Sequence, residues 1–314
     1  MSATDTLTTV SDLHAPGEVT AADQRAFVLR LAVIAVLAAT GVWLTRRPGI
    51  VPVASGVLLL AVVYCHAVEL QHQCLHRVAF RRTWMHRVVG VPLGLPLLVA
   101  YSHYRARHLQ HHRYLGTDKD AEFFGFDATQ PLTWSRFAKA LFDYRRQADV
   151  LVSVARSVRG SWRYTQGTMS ERSRRTIVVD YRVIAAFLGV MLALTALGAG
   201  HEVLVLWLLP FVVAVPIHFL IELPEHILCD STTTEVLRNT RSITGSWFST
   251  WLTNGNNLHI EHHLSMTVPL TRLRPRHRLV QRKAEVVDRS YFTFYRDLFR
   301  SMSTTRDVQC STTT

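Results

Sequence analysis

The sequence has few lysines and few cysteines. Lysine occurs only at Lys119, Lys139 and Lys283, so arginine supplies nearly all of the 35 basic side chains. The four cysteines, at positions 65, 74, 229 and 310, form no C-x-x-C pair and no closely spaced ladder. Cysteine-based zinc fingers and disulfide-bonded secreted scaffolds are therefore excluded.

Several enzyme signatures are missing as well. The chain has no glycine-rich dinucleotide fingerprint and no H-E-x-x-H zinc motif, because His201-Glu202 is not followed by a histidine at position 205. No nucleic-acid recognition motif is present, and the arginines flank apolar runs. We therefore expect no nucleic-acid partner.

Long apolar runs are abundant. Hydrophobic residues make up 48 % of the chain although its net charge is +12. Four runs approach the roughly 20 residues that a bilayer-spanning helix needs. These predicted spans lie at about 27–44, 50–70, 183–200 and 203–221. A fifth run, 88–101, is too short and too rich in proline and glycine to span, which favours a re-entrant or interfacial helix.

The arginine distribution predicts the orientation of the spans. Arginines crowd the segments 77–113, 136–182 and 272–300, and such segments belong in the cytoplasm. Arg46 and Arg47 break the rule, since their loop would face outward. An even number of spans then places both termini in the cytoplasm. The preference for arginine over lysine is typical of a GC-rich genome and favours a bacterial plasma membrane.

The predicted fold class is an all-α integral membrane protein with four transmembrane helices, a re-entrant or interfacial helix and a cytoplasmic, histidine-rich cap. The predicted divisions are a disordered cytoplasmic tail at 1–26, a membrane domain at 27–290 whose cap comprises 71–182 and 222–290, and a C-terminal tail at 291–314. Within the cap, 133–164 mixes apolar residues and arginines at helical spacing. This pattern predicts a basic amphipathic helix along the headgroups.

Histidines are grouped in three motifs. Two motifs read H-x-x-H-H and one reads H-x-x-x-H, and their members are His108, His111 and His112, His259, His262 and His263, and His72 and His76. In a helix these spacings lie on one face, so we expect each motif to aim its imidazoles at one point. The predicted topology places all three motifs on the same side of the membrane. Four isolated histidines are expected to be structural: His66, His86, His103 and His218.

Imidazole suits zinc, copper and iron. Eight imidazoles are too many for one zinc, which takes about four ligands. Two ions that share the set are the economical interpretation, and two irons that handle O2 fit an open, nitrogen-rich site best.

The sequence resembles the membrane fatty acid desaturase/hydroxylase superfamily over roughly 50–290. The matching motifs are "HQCLH", "HLQHHRYLGTDKDAEF", "ELPEH" and "NTRSITGSWFSTWLTNGNNLHIEHHLSMTVPLTRL". The resemblance implies a non-haem centre of two irons and adds a ninth ligand, His226. Asp118, Asp120 and Glu122, just after the second motif, are candidates for hydrogen bonds to ligand histidines.

Two departures from the family pattern bear on the reaction. Gln73 stands where many members have an acidic residue. Glu222, with Glu225 nearby, stands where acyl-CoA desaturases have an asparagine that holds a water on one iron. A carboxylate near one iron would alter its charge, so desaturation and hydroxylation both remain open.

The resemblance implies an O2-dependent desaturase that acts on an acyl or lipid-like chain, with carrier-bound substrates included. The alternative is a hydroxylase or ketolase acting on a lipid, a carotenoid or a secondary-metabolite precursor. No fused cytochrome or dinucleotide-binding motif is present, so a separate ferredoxin-type or cytochrome-type donor is expected. A non-catalytic membrane protein that uses its histidines to store or transport metal is disfavoured, because the centres of the predicted spans at 27–44 and 183–200 carry no ionisable residue.

Overall fold

The computed structural model describes residues 18–122, 124 and 132–311. Its helices are α1 (Ala21–Thr45), α2 (Ile50–Leu75), α3 (Thr83–Gly94), α4 (Tyr101–Tyr114), α5 (Trp134–Leu141), α6 (Arg145–Val158), α7 (Glu171–Leu194), α8 (Gly200–Val203), α9 (Leu209–Glu222), α10 (Val236–Asn239), α11 (Trp247–Leu252), α12 (His259–Leu264), α13 (Arg274–Val280) and α14 (Tyr291–Ser311). Two short strands, β1 (Ser242–Ile243) and β2 (Val287–Asp288), pair in parallel.

The first two helices form a tightly packed hairpin. α1 begins six residues before the predicted span, because Thr20 caps it and Asp23 completes a capping box. Where α1 meets α2, a Cβ on Gly56 would lie 2.7 Å from the carbonyl oxygen of Gly41. Small residues at this crossing therefore let the two backbones approach closely.

Within the part of the chain that the structure describes, three helical segments are long and apolar enough to cross a membrane: α1, α2 and the segment Glu171–Glu225. The third has 55 residues, a length of about 80 Å in a helix against a hydrocarbon core of about 30 Å. It is interrupted at Gly198, whose φ is +96°. Both predicted spans, 183–200 and 203–221, lie within this segment.

A sharp bend occupies the predicted re-entrant segment. Thr83–Leu97 and Tyr101–Tyr114 meet at 96°, with Leu98 at the bend in the left-handed conformation. Trp207 donates a hydrogen bond from its indole nitrogen to Pro96 O at 3.1 Å, which ties the bend to the long segment. The bend directs α4, with its three histidines, toward the end of α2.

The predicted amphipathic helix at 133–164 is divided in the structure. It forms α5 and α6, because Asp143 accepts a hydrogen bond from the backbone N–H of Arg145 and starts a new helix there. Phe137 of α5 and Val150 of α6 are buried.

The C-terminal residues differ from the predicted tail. Residues 291–311 form α14, and the i, i+4, i+8 spacing of Phe294, Leu298 and Met302 buries one face of it. These side chains pack in a cluster with Leu223 and Ile243. The residues around this apolar stripe are mostly polar, so the sequence did not suggest a packed helix here.

Candidate metal centre

The nine predicted histidines converge into two sets. The first set is His72, His76, His108, His112 and His262, and the second is His111, His226, His259 and His263. Within each set, one ring nitrogen of every histidine lies within 4.8 Å of all the others. Residues from four separate parts of the chain thus meet at two neighbouring points.

The prediction that each H-x-x-H-H motif aims at one point is wrong. His108 and His112 belong to the first set, whereas His111 belongs to the second. Each residue of a helix is rotated by about 100° from the one before it. The i+4 residue therefore lies about 40° from residue i, whereas the i+3 residue lies about 60° away on the other side and faces the second set. The same rule holds in α12, where His262 alone joins the first set.

Most ring pairs of the first set are close to perpendicular, and their Nε2 atoms approach one another. The Nε2 atoms of His72 and His108 are 2.7 Å apart, and those of His112 and His262 are 3.0 Å apart. His76 places its Nε2 3.3 Å from that of His72. Several nitrogen lone pairs held this closely are stabilised by a cation between them.

The second set leaves buried nitrogens unsatisfied. Among the described residues, Nε2 of His111 and Nε2 of His226 have no hydrogen-bond partner. His259 and His263 place their Nε2 atoms 3.1 Å apart. Buried nitrogens without partners are costly unless a ligand takes them, so this set fits a metal ion.

The opposite ring nitrogens hold the imidazoles in orientation. His108 donates from Nδ1 to Glu122 at 3.0 Å, and His111 donates from Nδ1 to Asp120 at 2.8 Å. The predicted hydrogen bonds are thus confirmed for these two acids. Asp118 is exposed and makes no hydrogen bond to a histidine in the part of the chain that the structure describes.

Two further orienting contacts escaped the sequence reasoning. His226 donates from Nδ1 to Asn239 O at 3.1 Å, and His259 donates from Nδ1 to the side-chain oxygen of Asn256 at 3.1 Å. Such contacts fix which nitrogen faces a metal. The run "NGNNLHIEHH", rich in amides before the histidines, was the available signal for Asn256.

The loop after α4 folds back under that helix and brings Asp120 and Glu122 to it. At its start Gly116 has φ +79°, and a Cβ there would lie 2.1 Å from Thr233 O. Only glycine suits both the left-handed backbone and this close approach.

Buried hydrogen bonds fix α12. The carboxylate of Glu261 is completely buried and accepts hydrogen bonds from Ser242 and His277. Ser242 Oγ in turn accepts from the backbone N–H of Ile260 at 2.9 Å. These hydrogen bonds therefore fix the position of α12, whose histidines face the candidate metal centre.

Gln73, the departure from the family pattern, has a structural partner. Its Oε1 accepts from Asn254 Nδ2 at 2.9 Å, and its Nε2 donates to Val78 O at 3.1 Å. Arg30 also donates to the side chain of Asn254. Gln73 thus joins α2 to the loop that precedes the third histidine motif.

The two glutamates singled out from the sequence lie in hydrogen-bond contact with each other but face different groups. Glu225 lies at the second set, with a carboxylate oxygen 3.2 Å from Nε2 of His259 and a hydrogen bond of 2.9 Å from Asn256. Glu222 instead lies with Glu69 and His218, whose polar atoms form a third group within 4.8 Å.

Three of the four histidines expected to be structural fit that expectation. His66 bonds Leu252 O at 2.9 Å, His86 accepts from the N–H of Phe80 at 3.0 Å, and His103 bonds the hydroxyl of Tyr181. His218 differs, since it stands 3.7 Å from carboxylates of Glu69 and Glu222. Sequence reasoning missed Glu69, although it stands one helical turn before His72.

Burial favours the neutral form of four histidines that come after α9 in the chain. It lowers the pKa of His226 to about 3, with the charge of His111 as a second cause. Burial also lowers the pKa values of His259, His262 and His263 well below the usual value. Neutral imidazoles keep the lone pairs that metal binding requires.

A cavity of about 630 Å³ lies against His111 and His226 of the second set. Glu222, Phe124 and Phe219 also line it. Its size suits a small molecule or part of a larger one.

Long apolar helices and nine converging histidines characterise a helical protein of membrane type whose histidine clusters could hold metal ions. The family model "Fatty acid desaturase" matches residues 48–295. The chain therefore belongs to the fatty acid desaturase family, a family of oxidoreductases, and the resemblance drawn from the motifs is confirmed.

One curated relative is dihydrorhizobitoxine desaturase from Bradyrhizobium elkanii, to which the chain is 28 % identical over 237 residues. The match covers 68 % of this chain and 63 % of the relative. The chain thus spans less than two thirds of the length of that relative.

Proposed function

We propose that this protein is an O2-dependent, non-haem di-iron desaturase that introduces a double bond into an acyl or lipid-like chain at the cytoplasmic face of a membrane. The observation that carries the proposal is the convergence of nine histidines into sets of five and four. Family membership supports the same reaction class, and the name of the relative from Bradyrhizobium elkanii also describes a desaturase.

The donor atoms support two irons. Both sets consist of imidazole nitrogens, which suit iron. Five ligands in the first set exceed the four that a structural zinc takes. The buried, unpartnered Nε2 atoms of His111 and His226 point to a ligand at the second set as well.

Bound as a pair, the irons would supply the oxidising chemistry that activates O2 and attacks an unactivated C–H bond. The chain's own residues would hold and orient that pair. Asp120 and Glu122 fix the tautomers of His111 and His108, and the burial of six of the nine histidines limits the access of water. The cavity beside His111 and His226 would place the substrate carbon.

We further propose four membrane spans, with 183–200 and 203–221 as separate crossings and the interruption at Gly198 near the end of the first of them. Both termini and the histidine centre would then face the cytoplasm of a bacterium. Exposed arginines at positions 77, 81, 82, 113, 274 and 278 would lie on that side. Arg47 stacks on Trp43 at 4.2 Å, a contact suited to the opposite interface.

Electrons would come from a separate ferredoxin-type or cytochrome-type protein. Donors of this kind are usually acidic, and the exposed arginines would attract them. The same positive charge would suit a coenzyme A thioester or an acyl carrier protein.

Hydroxylation or ketolation on the same scaffold is the second candidate. The observation that favours it is the carboxylate of Glu225, 3.2 Å from a histidine of the second set. A carboxyl group at this place would alter the iron beside it and thereby the fate of the substrate.

Product analysis tests the proposal. The protein is expressed in a desaturase-deficient bacterium, and lipids and amphiphilic metabolites are compared by mass spectrometry with those of a His262→Ala control. Loss of two hydrogens from a chain is expected. Gain of an oxygen would establish the second candidate, and unchanged products with an active donor present would contradict both.

A further inference from the structure

A third cluster of metal-type ligands lies beside the nine histidines. It consists of Glu69 on α2 and of His218 and Glu222 on α9. Nε2 of His218 is 3.7 Å from Oε1 of Glu69 and 3.7 Å from Oε1 of Glu222. The imidazole therefore stands between two carboxylates that belong to different helices.

The cluster is buried. The side chains of Glu69, His218 and Glu222 are 2 %, 6 % and 12 % exposed. Oε2 of Glu69 and Nε2 of His218 have no hydrogen-bond partner among the described residues. Two carboxylates held this closely away from water repel each other, and a positive ion or a proton must compensate.

The position of the cluster is set by the helices that carry the centre. Glu69 precedes His72 by three residues on α2, and Glu222 precedes His226 by four. Each lies about one helical turn, roughly 5 Å along the axis, from a histidine of the nine. α2 and α9 pack directly, with Cys65 Sγ 3.4 Å from Ala214 O, so the three ligands are held by a rigid pair.

We propose that Glu69, His218 and Glu222 bind a divalent metal ion of their own, next to the second histidine set. Two carboxylates match the charge of such an ion and supply the oxygen ligands that manganese favours, while the imidazole adds one nitrogen. Three protein ligands leave further positions open to water. The ion removes the repulsion between the two buried carboxylates.

Manganese titration of the full-length protein in detergent, loaded with only two irons per chain so that the histidine sets are filled, tests this site. Free Mn²⁺ is followed by electron paramagnetic resonance, and iron is counted before and after. One Mn²⁺ per chain is expected to bind without loss of iron. Glu69→Gln and His218→Asn are expected to weaken that binding at least tenfold.

The matched control is the double variant His201→Asn and Glu202→Gln, an exposed histidine and glutamate, which should bind Mn²⁺ like the wild type. Absence of bound Mn²⁺ in the wild type would overturn the proposal and show that a shared proton compensates instead. Binding that displaces iron, or that persists in both cluster variants, would also overturn it. Because iron and products are measured separately, these results leave the proposed desaturation to its own test.

Discussion

His112 and His262 are separated by 150 positions in the chain, yet their Nε2 atoms lie 3.0 Å apart. One comes from α4 and the other from α12, so the contact joins the second and third histidine motifs. α4 and α12 are thus brought together although they are far apart in the sequence. The centre therefore depends on the fold of the whole chain.

Replacing His262 with alanine removes one of five nitrogens from the first set. Turnover is expected to fall at least about 100-fold, because the remaining rings cannot hold the ion in the same geometry. Membrane insertion should be unchanged. Product formation and membrane fractionation measure the two effects, with exposed His201→Ala as the control. Full activity of His262→Ala would remove this residue from the ligand set.

Substitution of Asp120 tests the hydrogen bonds that orient the histidines through their Nδ1 atoms. Asp120→Ala removes the acceptor that orients His111, and metal affinity is expected to drop about 10–100-fold. Competition with a chelator measures the change. Asp118→Ala alters an exposed acid of the same loop and should have no effect. Equal losses in both variants would mean that the loop, not the hydrogen bond, is responsible.

Glu222 and Glu225 are expected to differ in their influence on the reaction. Glu225→Gln replaces a carboxyl group that lies 3.2 Å from Nε2 of His259 and should change the ratio of desaturated to oxygenated product. Glu222→Asn restores the residue of acyl-CoA desaturases and should shift the rate or ratio less, because Glu222 faces His218. Mass spectrometry of products decides. If neither variant changes the rate or the product ratio, neither carboxylate influences the choice between desaturation and oxygenation.

Acid should destabilise the metal-free protein through its buried histidines. A histidine in the unfolded chain titrates near 6.5, whereas His226 in the fold has a pKa of about 3. As pH falls from 7 to 5, only the unfolded state takes up this proton, which costs folding about 2 kcal/mol for each such histidine.

Thermal unfolding of the metal-free protein at pH 7 and pH 5 measures this loss. His226→Asn should show a smaller drop in Tm between the two pH values than the wild type. An equal drop would mean that His226 does not contribute to the acid sensitivity.

Much of the centre could be predicted from sequence, because ligand spacing is local. The i, i+4 pairs His108 and His112, and His259 and His263, each stay within one set. The division into five and four could not be predicted, since it depends on where α2, α4 and α12 meet. The i+3 members cross to the other set for the same reason.

Two other features, the third ligand cluster and the packed C-terminal helix, could not be predicted because their residues are scattered in the sequence. Glu69 and His218 stand alone in apolar runs and form a cluster only because α2 packs on α9. α14 escaped notice because three apolar residues at helical spacing lie in a polar segment. Tertiary packing, not local pattern, determines both.

The most direct test of the central claim is the metal content of the purified chain. After anaerobic loading, the Glu69→Gln variant, which keeps both histidine sets, should hold close to two irons per chain, with imidazole nitrogen as their neighbours in X-ray absorption. Stoichiometric zinc, or no iron retained after loading, would contradict the account.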